Sequence, residues 1–116
     1  MDLFQFDQSV SKKIDSYNSL AISYSKIIKT TESASIGCMY IEPNGVIGYH
    51  EAPVPQIFLV VDGEGWVAGE DRKKIAISKG QGVWWNKDEG HTSGSEYGMT
   101  AIIIQSPNID FQKMMK

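Results

Sequence analysis

Short apolar runs alternate with turn residues along most of the chain, a layout typical of β-sandwich and β-barrel proteins. Strands are predicted over residues 2–7, 20–28, 34–41, 57–61, 64–68, 74–78, 82–85 and 97–105. Helical periodicity is confined to two short segments, 9–17 and 109–116. The pattern therefore predicts an all-β fold.

The run Ile-Phe-Leu-Val-Val at 57–61 is apolar at every position, so we expect both faces of this strand to be covered. Asp62 and Gly63 follow it, and an Asp-Gly pair suits a two-residue hairpin, so 64–68 is predicted as the return strand. The segment 86–95 is predicted as a loop.

Cys38 lies within the apolar run 36–41, where we expect a small buried hydrophobic side chain. It is the sole cysteine, so the chain has no internal disulfide, and the reducing cytoplasm is the expected compartment.

The 116 residues suit a single domain spanning 1–116, with a barrel core at about 18–106. A net charge of −3 argues against a nucleic-acid partner, and no apolar run is long enough to span a bilayer. The densest basic cluster flanks a turn and is interpreted as a solvated hairpin tip; it consists of Arg72, Lys73, Lys74 and Lys79.

The centre of the chain carries a spaced set of five residues, Gly45, His50, Ala52, Gln56 and Gly63. Their spacing resembles the first conserved motif of the cupin family, which runs Gly, His, His, Glu and Gly. Ala52 and Gln56 replace the second histidine and the glutamate of the family, and Gly45 lies one residue closer to His50 than the pattern asks.

The second cupin motif is matched in part. It maps onto Gly80, Asn86, Asp88, His91 and Ser95, and this sequence keeps the family's glycine at 80 and its histidine at 91. The proline, second glycine and asparagine of the motif are replaced.

The resemblance implies a small single-domain cupin, a double-stranded β-helix or jelly-roll barrel, here with a short N-terminal strand extension. It also implies that His50, Gln56 and His91 meet at one barrel mouth, where they are the candidate ligands of one divalent metal ion (Fe, Mn, Ni or Zn). Two histidines and a side-chain oxygen are similar to the facial ligand set of non-haem iron. Gln56 brings a neutral amide where the family has a carboxylate, so metal binding should be weakened.

Strand alternation adds aromatic residues to this site. Gln56 and Phe58 share one face of a strand, and one of Trp84 and Trp85 should line the barrel while the other faces outward. The candidate pocket is therefore His50, Gln56, Phe58, Trp85 and His91. An alternative is structural, in which each histidine is hydrogen-bonded to a neighbour and binds nothing.

Two functions stay open at this point. One is binding of a small polar or anionic molecule in the barrel pocket, with or without a metal. The other is a metal-dependent enzyme of the dioxygenase or isomerase type, built on the same residues. The outer face of Ile57, Leu59 and Val61 further predicts a homodimer, because small cupins bury such a face by pairing.

Overall fold

Antiparallel β-strands make up most of the computed structural model, which describes residues 1–28, 30 and 32–109. The strands are β1 (Asp2–Gln5), β2 (Lys12–Ile14), β3 (Ile22–Tyr24), β4 (Ser35–Ile41), β5 (Gly45–Glu51), β6 (Gln56–Ala68), β7 (Ile75–Ser78), β8 (Gln81–Trp85), β9 (Gly90–Ser95) and β10 (Met99–Gln105). Two 3₁₀ turns, Gln8–Val10 and Ser16–Asn18, flank β2. The all-β prediction is confirmed.

One strand, β6, belongs to both faces of the barrel. Its first half, 56–63, pairs with β8 and β10 in the larger sheet, whose order is β1-β8-β6-β10-β4. Its second half, 64–68, pairs with β7 and β9 in the smaller sheet, which β5 completes by pairing with β9. Strands β2 and β3 form a separate two-stranded sheet.

The crossing between sheets occurs where the sequence predicts a hairpin, and that prediction is wrong. The chain continues as a strand through Asp62 and Gly63, with Gly63 at φ +78° and a register shift that leaves Val61 without a partner on β10. Such a bulge bends the strand and resets the alternation of its side chains. Val60 before it and Val67 after it consequently reach the same core, although their positions differ in parity.

The interior between the two sheets is filled by a cluster of buried side chains. Its members are Ile41, Ala52, Phe58, Val60, Val67, Ile77, Val83, Trp85, Met99, Ala101 and Ile103. Burial of these apolar side chains is the main favourable contribution to the fold.

A second cluster lies on the outer face of the larger sheet. Ile57, Leu59 and Trp84 are buried there, as the apolar run 57–61 predicts. The covering residues come from the same chain: Phe4, Phe6, Ile27, Ile28 and Ile109. Ile57 and Leu59 are therefore covered and cannot contribute to the dimer surface that the sequence predicts, whereas Val61 is 37% exposed.

Several other local predictions need correction. The segment 20–28 forms only the short strand β3, with Leu20 and Tyr24 exposed and 27–28 packed as coil on the outer cluster. The helix predicted at 9–17 is replaced by the two 3₁₀ turns and β2. The loop predicted at 86–95 contains β9. In the predicted helix at 109–116, residues 110–116 lie outside the described residues.

Cys38 is exposed, contrary to the prediction, because alternation along the edge strand β4 directs its side chain away from the core that Met39 and Ile41 face. No helix in the described part of the chain has the length and apolar character needed to cross a membrane.

Candidate functional site

A cavity of about 30 Å³ lies at one mouth of the barrel. That volume holds roughly one water-sized group. All five predicted pocket residues line it, namely His50, Gln56, Phe58, Trp85 and His91, together with Met39, Ile47, Ser93 and Ile103. The structure thus brings the predicted residues together at one place.

His50 reaches the cavity because of a bulge in β5. Ile47 pairs with Ser93 and His50 pairs with His91, so two residues of β5 stand opposite one residue of β9. Ile47 and His50 both line the cavity although they are three positions apart, which regular alternation would forbid. The ring of His50 is exposed at the rim of the mouth.

His91 forms the inner side of the site. It is 2% exposed, and the centroid of its ring lies 4.4 Å from that of His50. Trp85 stacks on the same ring, with ring centroids 4.1 Å apart and planes 17° from parallel. The His91 ring is therefore packed against both the indole and the second imidazole.

In each histidine, Nδ1 is hydrogen-bonded to the backbone carbonyl oxygen of the residue two positions earlier. The Nδ1 of His50 lies 2.8 Å from the oxygen of Gly48, and the Nδ1 of His91 lies 3.1 Å from the oxygen of Glu89. A carbonyl oxygen can only accept, so in both rings Nδ1 carries the hydrogen. In the neutral form both Nε2 atoms then keep a lone pair, and neither has a hydrogen-bond partner among the described residues.

The pKa of His91 is lowered from its ordinary value, mainly because burial disfavours the charged ring. The neighbouring His50 also lowers the pKa, while the backbone and carboxylate of Glu89 oppose the shift. His91 is accordingly uncharged at neutral pH.

Trp85 contributes an unused hydrogen-bond donor. Its Nε1 is buried and has no partner among the residues that the structure describes. Such a group costs about 1–3 kcal/mol when it stays unpaired. Phe58 contacts the indole edge-on at a centroid distance of 5.7 Å and holds it in place.

Gln56 and Ser93 are the other polar side chains that line the cavity. Gln56 is 8% exposed, and its backbone pairs with Trp85 on one side and with Gln105 on the other. The sequence did not indicate Ser93, because 86–95 was predicted as a loop. Had β9 been recognised, alternation would have placed Ser93 on the same face as His91.

Two glutamates lie close to the site histidines in sequence, Glu51 and Glu89, but neither lines the cavity. Glu51 is exposed at the end of β5. The carboxylate of Glu89 accepts hydrogen bonds from the Met1 ammonium at 2.8 Å and from the Asn86 backbone at 2.9 Å. Burial would raise the Glu89 pKa, but these contacts outweigh it and the pKa is lowered.

No cluster of three or more His, Cys, Asp or Glu side chains with metal-binding geometry occurs in the described ranges. The candidate metal ligands at the mouth are two imidazoles and one amide, and none of them is a carboxylate. This set lacks the carboxylate of the two-histidine, one-carboxylate triad that binds non-haem iron.

Searches of protein-family models and of curated proteins give no match. Solved structures do match. A cupin superfamily protein of Desulfitobacterium hafniense DCB-2 superposes with a TM-score of 0.61 at 13% identity, covering 72% of this chain and 76% of that one. A cupin-like protein of Thermotoga maritima MSB8 gives 0.61 at 21% identity, with 72% and 68% covered.

An enzyme of the same shape is also among the matches. DMSP lyase DddQ of Ruegeria pomeroyi DSS-3 superposes with a TM-score of 0.61 at 15% identity over 69% of this chain. The chain spans only 41% of that enzyme's length. At these identities the comparisons establish the fold alone: the chain has the cupin fold.

Proposed function

We propose that this small cupin domain binds a neutral, hydroxyl-bearing small molecule at the barrel mouth between His50 and His91. The observation that carries the proposal is the pair of Nε2 lone pairs, both left free by the Nδ1–carbonyl contacts. Each Nε2 lone pair can accept a hydrogen bond from a hydroxyl group of the ligand. The hydroxyl oxygen in turn accepts a hydrogen bond from the amide of Gln56, which lines the same cavity.

The size of the cavity limits what enters it. About 30 Å³ admits a hydroxyl-sized group, so the rest of the ligand lies outside, against the exposed His50 ring. An anionic ligand is disfavoured, because the lowered pKa of His91 leaves the inner side of the site without positive charge at neutral pH.

Nuclear magnetic resonance of ¹⁵N-labelled imidazoles tests both the tautomer of the two histidines and the preference for a neutral ligand. We expect both histidines to be in the Nδ1–H tautomer at pH 7.5. Neutral polyols and sugars, added as the probe set, should shift the Nε2 signals, whereas simple carboxylates should not. His91→Gln should abolish the response. Shifts with carboxylates alone at this pH would overturn the proposal.

A metal-dependent enzyme is the second candidate, favoured by the same two lone pairs, which are also the form of imidazole that binds metals. Gln56→Glu supplies the missing carboxylate beside the two histidines. We expect the wild type to bind Ni²⁺ or Mn²⁺ weakly and this variant to bind at least about tenfold more tightly, equivalent to about 1.4 kcal/mol.

Gln105→Glu is the matched control for that experiment. Gln105 is the partner of Gln56 on β10 but does not line the cavity, so its replacement should leave metal affinity unchanged. Tight, near-stoichiometric metal in the wild type, lost on replacing either histidine, would instead favour the enzyme and contradict our assessment of the ligand set.

A further inference from the structure

The strand β4 forms one edge of the larger sheet. It pairs with β10 along its whole length, and no strand pairs with its other side within the described ranges. Its outward backbone N–H and C=O groups can therefore pair with another chain.

The other edges of the barrel carry the features by which proteins prevent such pairing. β1 and β7 have only four residues each; β1 carries Asp2, and Lys74 and Lys79 flank β7. β5 contains the bulge before His50 and ends at Glu51. In contrast, β4 has seven residues and no charge, proline or register shift. An unprotected edge of this kind indicates a partner.

The side chains of β4 that face away from the barrel are apolar and exposed. Ile36 is 67% and Tyr40 74% exposed, and Cys38 lies between them. Across β10 they adjoin the half-buried Ile102 and Ile104, so the row continues the apolar outer face of the sheet.

We propose that β4 pairs in antiparallel orientation with β4 of a second copy, about a two-fold axis at Cys38. Directly opposed residues of an antiparallel pair place their side chains on the same face, and a two-fold axis requires the pairing to be self-complementary. Centring on Cys38 sets Ile36 of each copy opposite Tyr40 of the other. Every apolar residue of the outer row thereby gains an apolar partner.

The charges around β4 agree with this register. The flanking acidic residues Glu32 and Glu42 lie outside the strand and fall opposite Asn44 and Ala34 of the second copy, so no like charges are directly opposed. Glu32 and Glu42 of different copies are diagonal neighbours only at the two ends of the pairing. Since Met39 of the same strand lines the barrel cavity, the interface lies beside the mouth of the site. The pairing itself does not depend on the proposed ligand.

Cys38 makes the proposal directly measurable. At the axis the two Cα atoms would be about 4.5–5.5 Å apart, within the range of disulfides, about 4.4–6.8 Å. Mild treatment with diamide should therefore link the two copies: the thiols lose two protons and two electrons, and the diazene is reduced to the hydrazine. A Cys38→Ser/Val46→Cys variant, with its thiol on β5, reports collisional cross-linking and should react at least tenfold more slowly.

Solution mass by light scattering completes the test. We expect a dimer for the wild type, a monomer for Ile36→Lys, and a dimer for Val46→Lys, which adds the same charge at a side chain of similar exposure, 64%. Circular dichroism checks that each variant is folded. A monomeric wild type overturns the proposal, as does cross-linking through Cys38 no faster than in the control. The cross-linking result stands even if Ile36→Lys fails to fold.

Discussion

At the scale of single residues, the central feature is an uncharged histidine packed against an indole. His91 lies in a nearly closed environment, and its lowered pKa follows chiefly from burial. In the unfolded chain the same side chain titrates near 6.5. Between the folded-state and unfolded-state pKa values, the unfolded chain binds more protons than the folded one. The free energy of unfolding therefore falls as the pH is lowered through that interval.

Replacement of His91 should remove this part of the pH dependence. We expect the free energy of unfolding of the wild type to decrease between pH 7.5 and pH 5.5. The decrease should approach about 1.4 kcal/mol per pH unit between the unfolded-state and folded-state pKa values of His91. His91→Gln should show a flatter profile in urea titrations at the two pH values. His50→Gln, which removes a neighbour that lowers the His91 pKa, should flatten the profile in part. Parallel profiles for all three proteins would contradict the assignment.

The identities of the site residues could be predicted from the sequence, but the hydrogen bonds of their side chains could not. His50, Gln56, Phe58, Trp85 and His91 could be named because the motif resemblance and strand alternation agree. The tautomers could not, since they depend on carbonyl positions set by the backbone at Gly48 and Glu89.

At the scale of strands, two bulges determine where side chains point. The one in β5 directs His50 inward, and the one in β6 lets a single strand serve two sheets. Asp-Gly is a hairpin signal in isolation. Here β6 pairs with β10 before the bulge and with β7 and β9 after it, and these pairings keep the chain extended through Asp62 and Gly63. Such long-range pairings cannot be predicted from the local sequence.

Gly63→Ala tests the bulge of β6. A Cβ at this position would clash with the backbone oxygen of Gly98 and approach the Cα of Met99 to 3.0 Å, at a positive φ. We expect the free energy of unfolding to fall by about 2 kcal/mol or more. Gly37→Ala is the control, because nothing lies within 4 Å of its Cβ; its stability should be unchanged or rise by up to about 1 kcal/mol. Similar losses from both would show that the bulge is not the constraint.

At the scale of the whole molecule, the chain has an apolar layer on each side of the larger sheet. The sequence indicated that 57–61 is covered on both faces, and this is correct for 57–60, whereas Val61 is 37% exposed. It did not indicate what covers the outer face, because β1 and the coil at 27–28 come from distant parts of the chain. Contacts between such segments leave no local pattern.

Phe4→Ala probes the outer layer. Phe4 is half-buried against the cluster of Ile57, Leu59 and Trp84, so its truncation should lower the free energy of unfolding by about 2 kcal/mol, less than for a fully buried phenylalanine. Leu20→Ala, at a side chain that is 87% exposed, should change it by less than about 0.5 kcal/mol. Thermal denaturation of the three proteins gives the comparison. Equal stability of Phe4→Ala and the wild type would mean that the outer layer contributes little.

The crossing strand has a further consequence for how the domain opens. β6 supplies hydrogen-bond partners to β8 and β10 at one end and to β7 and β9 at the other. Neither sheet can lose this strand without exposing the interior of the other, so the two sheets form a single cooperative unit. Amide hydrogen exchange along β6 should then proceed only through global unfolding, while the N-terminal sheet of β2 and β3 exchanges independently and faster.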